Sequence, residues 1–191
     1  MKKYLMLLSL FSGLAMAQGA TKTDTGINYN NVEIGYDTFV LNDYDYTWTG
    51  YGLGGNFLIT DNIYATANYS SLTPQTSGGL DNAELTYVGL GYRFPVASSV
   101  DLITDLSYVS RTIGTTDTGY RLTVGAKSKI SSAVELMGAY SYLDVGSSTY
   151  NAFTGGLTLN VTDTFYGYGR YTSMTGSNSI TTYSLGVGMN F

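Results

Sequence analysis

From Ile27 to Phe191 the chain alternates apolar and polar residues in successive runs, which are separated by short clusters of Gly, Ser, Thr, Asn and Asp. A period of two residues is typical of a β-strand with one apolar face, and such clusters are typical of turns. The pattern predicts ten strands, over residues 27–40, 46–60, 63–72, 84–95, 99–111, 119–130, 133–144, 150–161, 164–174 and 179–191.

The connections between these runs alternate in length. Thr60-Asp61-Asn62 and Thr162-Asp163 are tight and follow even-numbered strands, whereas the connections from Thr73 to Ala83 and from Arg111 to Thr118 are longer and follow odd-numbered strands. Short turns at one end and longer loops at the other are typical of transmembrane β-barrels. The sequence therefore predicts an all-β, antiparallel up-and-down barrel with its tight turns in the periplasm.

The two faces of the predicted strands separate a membrane barrel from a soluble β-sandwich, which has the same alternation. One face is apolar and has no charged residue, as a wall in contact with lipid requires, because a Lys or Arg at the bilayer middle costs about 2–4 kcal/mol. The opposite face is rich in Gly, Ser, Thr and Asn, which suit a crowded lumen. It also carries the charged residues of the predicted strand interiors, which are Glu33, Asp37, Arg93, Asp101, Asp105, Arg121, Lys127, Glu135 and Arg170.

These lumen charges are expected first to be structural, because an unpaired charge in a narrow lumen is costly and partners should exist. Reflecting the strands across their turns places Arg93 opposite Asp101 and Lys127 opposite Glu135. The alternative is that the same groups line a polar path for small solutes.

Aromatic residues near strand ends are expected to form two belts at the membrane interfaces, where an amphipathic ring gains from one apolar and one wet edge. The outer belt is predicted to contain Trp48, Tyr51, Tyr69, Tyr108, Tyr140, Tyr142 and Tyr171. The inner belt is predicted to contain Phe57, Tyr92, Phe94, Phe165 and Phe191.

The N-terminal residues have the features of a signal peptide. Two lysines precede an apolar stretch from Leu5 to Leu14, and Ala15-Met16-Ala17 is a small-x-small cleavage site. A short membrane anchor is the alternative, but the apolar stretch is too short to span a bilayer. We therefore expect cleavage after Ala17, a flexible segment over 18–26 and a barrel over 27–191.

The amino-acid composition limits the classes of function that the chain can have. Charged residues make up 12% of the chain, about half the usual share of a soluble domain. Acidic residues outnumber basic ones by 14 to 9, so there is no electrostatic footprint for nucleic acid. The chain has no Cys and no His, which removes the common zinc ligands and the commonest general base. No cofactor, metal site or catalytic residue is predicted, and carboxylates such as Asp101 and Asp105 are expected in salt bridges.

The C-terminal run alternates apolar positions up to a terminal Phe, and Tyr183, Leu185, Val187, Met189 and Phe191 share one face. This ending resembles that of small bacterial outer-membrane barrels of the opacity-type and OmpA-barrel-type, porin-like family. The resemblance implies an outer-membrane location and recognition of these five residues by the barrel-assembly machinery. Members of that family commonly have eight strands, so eight is the alternative to ten.

Two functions fit these observations. The first is a non-enzymatic barrel with a structural or surface-interaction role, and the second is a narrow porin-like channel through the charged lumen. The connections on the predicted outer side are acidic, so outer-membrane lipid and lipopolysaccharide are the expected partners, with shared divalent cations as one means of contact. An extracellular ligand is a further candidate partner.

Overall fold

The computed structural model of the protein describes residues 25–75 and 80–191, and the regular elements in these two ranges are all β-strands. Each strand runs antiparallel to its neighbours in sequence, and the first pairs with the last, so that the sheet closes into a barrel. The predicted fold class is confirmed, with ten strands rather than eight. The strands are β1 (Asn31–Leu41), β2 (Tyr46–Leu58), β3 (Ile63–Pro74), β4 (Ala83–Ala97), β5 (Val100–Ile113), β6 (Thr115–Lys129), β7 (Val134–Val145), β8 (Ser148–Asn160), β9 (Phe165–Gly176) and β10 (Ile180–Asn190).

The described part of the chain contains no helix that is long and apolar enough to cross a membrane. The predicted signal peptide, residues 1–17, and most of the segment 18–26 lie outside the described residues.

The outer wall of the barrel is apolar, because the alternation places one face of every strand outside. Leu53, Leu90, Val187 and Phe191, all of the face expected to contact lipid, are each more than half exposed. The inner face carries the small and polar residues, and in β5 every second residue from Asp101 to Val109 is buried, whereas the residues between them are exposed or half-buried. The two faces therefore point as the period of two predicts.

The barrel has two ends, which we name by their connections. The turn end carries Asn31, Phe191 and the connections 59–62, 98–99, 130–133 and 161–164. The loop end carries the connections 42–45, 75–82, 114, 146–147 and 177–179.

Two predicted boundaries are wrong. The first strand begins at Asn31 instead of Ile27, because residues 25–30 leave the sheet and turn into the lumen. The predicted long connection over 111–118 is mostly strand, since β5 and β6 continue through it with only Gly114 between them. Gly114 has a φ of 68°, a conformation that glycine adopts without the steric cost of a Cβ, and the threonines around it favour strands.

Close packing inside the barrel also depends on glycine. We expect Gly188→Ala to destabilise the barrel by about 1–3 kcal/mol, because the added Cβ would overlap the ring of Tyr166, which donates a hydrogen bond to Glu33. Gly138→Ala is the matched control, since nothing lies within 4 Å of its added Cβ. Denaturant unfolding of the two refolded variants tests this, and equal midpoints would contradict it.

Candidate functional site: the barrel lumen

The turn end of the lumen is filled by residues 25–30, which we call the N-terminal plug. Thr25, Ile27 and Tyr29 are buried, and Tyr29 is 0% exposed. Their positions continue the inward parity of β1, so every second side chain of the plug points into the barrel. The plug therefore lies across the opening instead of outside it.

A single carboxylate anchors the plug. Oδ2 of Asp101 accepts hydrogen bonds from the Thr25 hydroxyl at 3.1 Å and from the Tyr29 hydroxyl at 3.0 Å. Burial raises the pKa of Tyr29, which keeps its hydroxyl protonated as a donor. Arg93 completes the group with an ion pair of 3.5 Å to the same oxygen. Asp101 is itself 0% exposed, so its carboxylate contacts only groups inside the barrel.

Cations of the wall hold the plug from its sides. The Lys127 ammonium lies 4.5 Å from the centre of the Tyr29 ring, and the Arg93 guanidinium lies 5.2 Å from it. Such contacts stabilise by about 0.5–2 kcal/mol each, more when desolvated. The Lys129 ammonium donates a 2.7 Å hydrogen bond to the backbone carbonyl of Gly26. The plug is thus fixed by both its side chains and its backbone.

Two further ion pairs lie deeper in the lumen. Arg170 of β9 donates to Glu33 of β1 at 2.6 Å, and Tyr166 donates to the same carboxylate at 2.9 Å. On the other wall, Arg121 of β6 pairs with Asp105 of β5 at 3.4 Å. The Arg170–Glu33 pair connects two strands that are separated by β10, whereas the Arg121–Asp105 pair connects neighbouring strands.

The remaining lumen charges have other partners. Asp37 accepts a 2.6 Å hydrogen bond from the Ser70 hydroxyl and has no cationic group within 4 Å among the described residues. Glu135 accepts a 3.2 Å hydrogen bond from the Asn160 amide. All nine charges predicted from the sequence thus lie on inward-facing positions of the strands, although their role in function stays a prediction.

The predicted register is wrong for both cross-turn pairs. Asp101 lies opposite Pro95, although the Arg93 side chain still forms an ion pair with it. Lys127 lies opposite Met137, and Lys129 is the residue opposite Glu135. Both turns are centred one residue later than the reflection assumed, which shifts each pairing by two positions. Lys127 is thereby left to contact the ring of Tyr29.

The loop end of the lumen is filled by buried apolar side chains, which we call the apolar closure. Leu72, Val109 and Ile180 are each at most 5% exposed, although they face the inside of the barrel. The loop residue Leu80 packs against them. The members of the apolar closure are Phe39, Trp48, Leu72, Ala83, Val109, Leu143, Val145, Tyr150, Ala152 and Ile180.

Trp48 belongs to this closure, and its predicted place in the outer aromatic belt is wrong. It is 3% exposed, and its indole nitrogen donates a 3.0 Å hydrogen bond to the carbonyl of Asp81. The prediction used only its position near a strand end, whereas its parity in β2 points it inward, against Phe39 at a ring distance of 5.8 Å.

A cavity of about 280 Å³ lies between the plug and the closure. Its wall is polar toward the turn end and apolar toward the loop end, where it meets Phe39, Leu72, Leu85, Leu143 and Met174. Six charged residues line it, which are Glu33, Asp37, Asp105, Arg121, Lys127 and Arg170. In the described residues no group of three His, Cys, Asp or Glu side chains is placed to hold a metal ion.

The plug and the closure were not predicted from the sequence. The alternation from Ile27 onward predicts the start of a strand, and no local feature of the sequence shows that residues 25–30 leave the sheet. The apolar closure does have a signal in the sequence. Its members are apolar residues at lumen-facing positions, and they all lie near the loop end of their strands.

No family model matches the chain, and no curated protein matches it. Among solved structures it is similar to the KdgM porin in complex with disordered oligogalacturonate, at 11% identity over 84% of this chain and 99% of that one, with a TM-score of 0.49. It is also similar to Ail, the attachment invasion locus protein of Yersinia pestis, at 15% identity over 86% and 100%, with a TM-score of 0.43. The N-terminal β-barrel domain of Pseudomonas aeruginosa OprF is similar at 17% identity over 86% and 100%, with a TM-score of 0.40.

The likeness is one of fold. The closed ten-stranded antiparallel barrel of this chain agrees with the resemblance of its sequence to small outer-membrane barrels.

Proposed function

We propose that the chain is an integral outer-membrane β-barrel with a structural or surface-interaction role, without enzymatic activity and without an open channel. The observation that carries this proposal is that the lumen is filled at both ends, by the N-terminal plug and by the apolar closure. A barrel of about this size has an interior that side chains alone can nearly fill. The barrel then presents its outer surface and its five short loop-end connections to its surroundings.

The proposal that the barrel spans a membrane rests on its closed sheet and its apolar outer face. A closed barrel leaves no strand edge unpaired, which is required where no water can bond the backbone. The outward face is apolar, and exposed tyrosines such as Tyr51 and Tyr171 lie on it. We place the turn end in the periplasm, after export and cleavage behind Ala17. Outer-membrane lipid and lipopolysaccharide are the partners of this surface.

The C-terminal strand supports the proposed route of assembly. Tyr183, Leu185 and Val187 of β10 are each more than half exposed on the outer wall, and β10 closes the barrel against β1. A strand that pairs last and shows an apolar stripe is what an assembly factor can bind before closure. The proposed signal is completed by Met189 and Phe191.

A narrow channel is the second candidate, and the charged central cavity favours it. The two candidates differ in planar-bilayer recordings of the refolded protein. We expect no stable unitary conductance from the natural sequence in monovalent salt, because the plug closes the turn end and the apolar closure, which water does not wet easily, closes the loop end. A reproducible unitary step would reject the closed barrel and establish the channel.

A further inference from the structure

The central cavity contains one carboxylate that has no cationic partner among the described residues. Of the six charged residues on its wall, Glu33 pairs with Arg170 and Asp105 pairs with Arg121. Lys127 lies on the ring of Tyr29 in the plug. Asp37 has only the neutral hydroxyl of Ser70 as its hydrogen-bond partner in the described residues.

The backbone around Asp37 makes room for this carboxylate. Gly52 of β2 lies beside it, and a Cβ at that position would overlap Oδ2 of Asp37. The absence of a side chain at position 52 therefore lets the carboxylate stand in the lumen. Ser70 binds only Oδ2, so Oδ1 can accept from an occupant of the cavity.

Asp37 also lies where the polar and apolar parts of the cavity meet. Phe39 is the next inward-facing residue of β1 toward the loop end, and its ring belongs to the apolar closure. Leu72, Leu85 and Met174 line the same side of the cavity. A molecule bound at Asp37 would thus contact an apolar wall on one side and, on the other, a carboxylate that has no ion-pair partner among the described residues.

We propose that the central cavity binds a small organic cation, a primary amine on an apolar body, with the ammonium group on Asp37. The ammonium donates to the free Oδ1, and the apolar body contacts Phe39, Leu72 and Met174. A carboxylate whose hydrogen-bond partner is a neutral hydroxyl gains from a charge-assisted hydrogen bond with a cation. A cavity of about 280 Å³ is at the lower end of the range for small-molecule sites, so the ligand should be no larger than a phenylalkyl amine.

The single tryptophan provides the measurement. Trp48 is the one Trp of the chain, and its ring lies 5.8 Å from that of Phe39, at the apolar end of the cavity. The full chain is refolded into lipid vesicles at increasing concentrations of 2-phenylethylamine, of the neutral 2-phenylethanol or of the anion 3-phenylpropionate, so that each probe can enter before the barrel closes. We expect a saturable change in Trp48 emission with the amine, at a concentration about tenfold or more below that needed for the other two probes.

Two variants locate the binding at the carboxylate. Asp37→Asn keeps the shape and removes the charge, and it should weaken amine binding about tenfold or more. Gly52→Ala keeps the charge but displaces the carboxylate, and it should weaken amine binding as well. Asp144→Asn, at an outward-facing position of β7 near the loop end, removes the same charge outside the cavity and should bind like the natural sequence.

Loss of amine binding in Asp37→Asn and Gly52→Ala, with retention in Asp144→Asn, supports the site. Equal titrations for the natural sequence and Asp37→Asn would show partition into lipid or binding elsewhere, and would overturn it. Tighter binding of the anion, or no saturable change with the amine, would overturn it too.

Discussion

Asp101→Ala is expected to lower the free energy of unfolding of the barrel by about 3–5 kcal/mol, the usual cost of breaking a buried ion pair from one side. The carboxylate is 0% exposed and binds Thr25, Tyr29 and Arg93 through the same oxygen. Its removal leaves the Arg93 guanidinium buried without its anion and leaves two plug hydroxyls without their acceptor. The refolded protein is unfolded with urea, and Trp48 emission reports the transition.

Matched variants separate the charge from the hydrogen bonds. Asp101→Asn keeps an acceptor for Thr25 and Tyr29 but removes the attraction for Arg93, so an intermediate loss is expected. Asp144→Ala, a carboxylate outside the lumen, should change stability by less than about 0.5 kcal/mol. Limited proteolysis reports the plug itself, and cleavage between Thr25 and Asn30 should become faster in Asp101→Ala. An unchanged cleavage rate together with natural stability would show that the plug does not depend on this carboxylate.

Much of this fold is encoded in the alternation of apolar and polar residues along the chain. A strict period of two fixes which side chains share a face, and a face without charges in its strand interiors fits the outer wall of a barrel in lipid. For this reason the strand number, the faces and the inward position of residues such as Glu33 and Arg170 follow from the sequence. Boundaries follow less well, because a threonine-rich turn such as that around Gly114 has the same propensity as the strands that it joins.

The filling of the lumen could not be predicted in the same way. Tyr29 has the parity and composition of a strand residue, and only the closed barrel shows that Arg93, Asp101 and Lys127 converge on it from three different strands. The position of Trp48 near a strand end predicts a place at the membrane interface, where tryptophan is common. Its inward parity carried the opposite information, and parity is the stronger of the two signals because it is set by backbone geometry.

The two closures differ in their physical chemistry, and this affects how each can open. The plug is held by hydrogen bonds and cations around one residue, Tyr29, so a few substitutions should release it. The apolar closure is held by the burial of many side chains around Trp48 and Phe39, and it depends on close packing. A solute path through the barrel would require both to open, since they lie in series along the same lumen.

Conductance is therefore expected only when both closures are removed in the same molecule. Thr25→Ala with Tyr29→Ala releases the plug, and Trp48→Ala with Phe39→Ala opens the closure. Each pair alone should leave the bilayer current at the level of the natural sequence, because the other end still blocks the path. The quadruple variant should show unitary steps, and their ion selectivity should change when Asp37→Asn is added to it.

Folding of each variant has to be verified first, because a large-to-small change in a packed cluster costs about 3–5 kcal/mol for an aromatic residue. Retention of β-sheet circular dichroism and of a compact, protease-resistant barrel provides that control. Tyr51→Ala with Phe153→Ala removes two aromatic side chains from the outer wall, where they are 71% and 61% exposed, and should remain silent in every background. Conduction from the plug variant alone would mean that the apolar closure does not seal, whereas silence of a folded quadruple variant would mean that the paired lumen charges block the path by themselves.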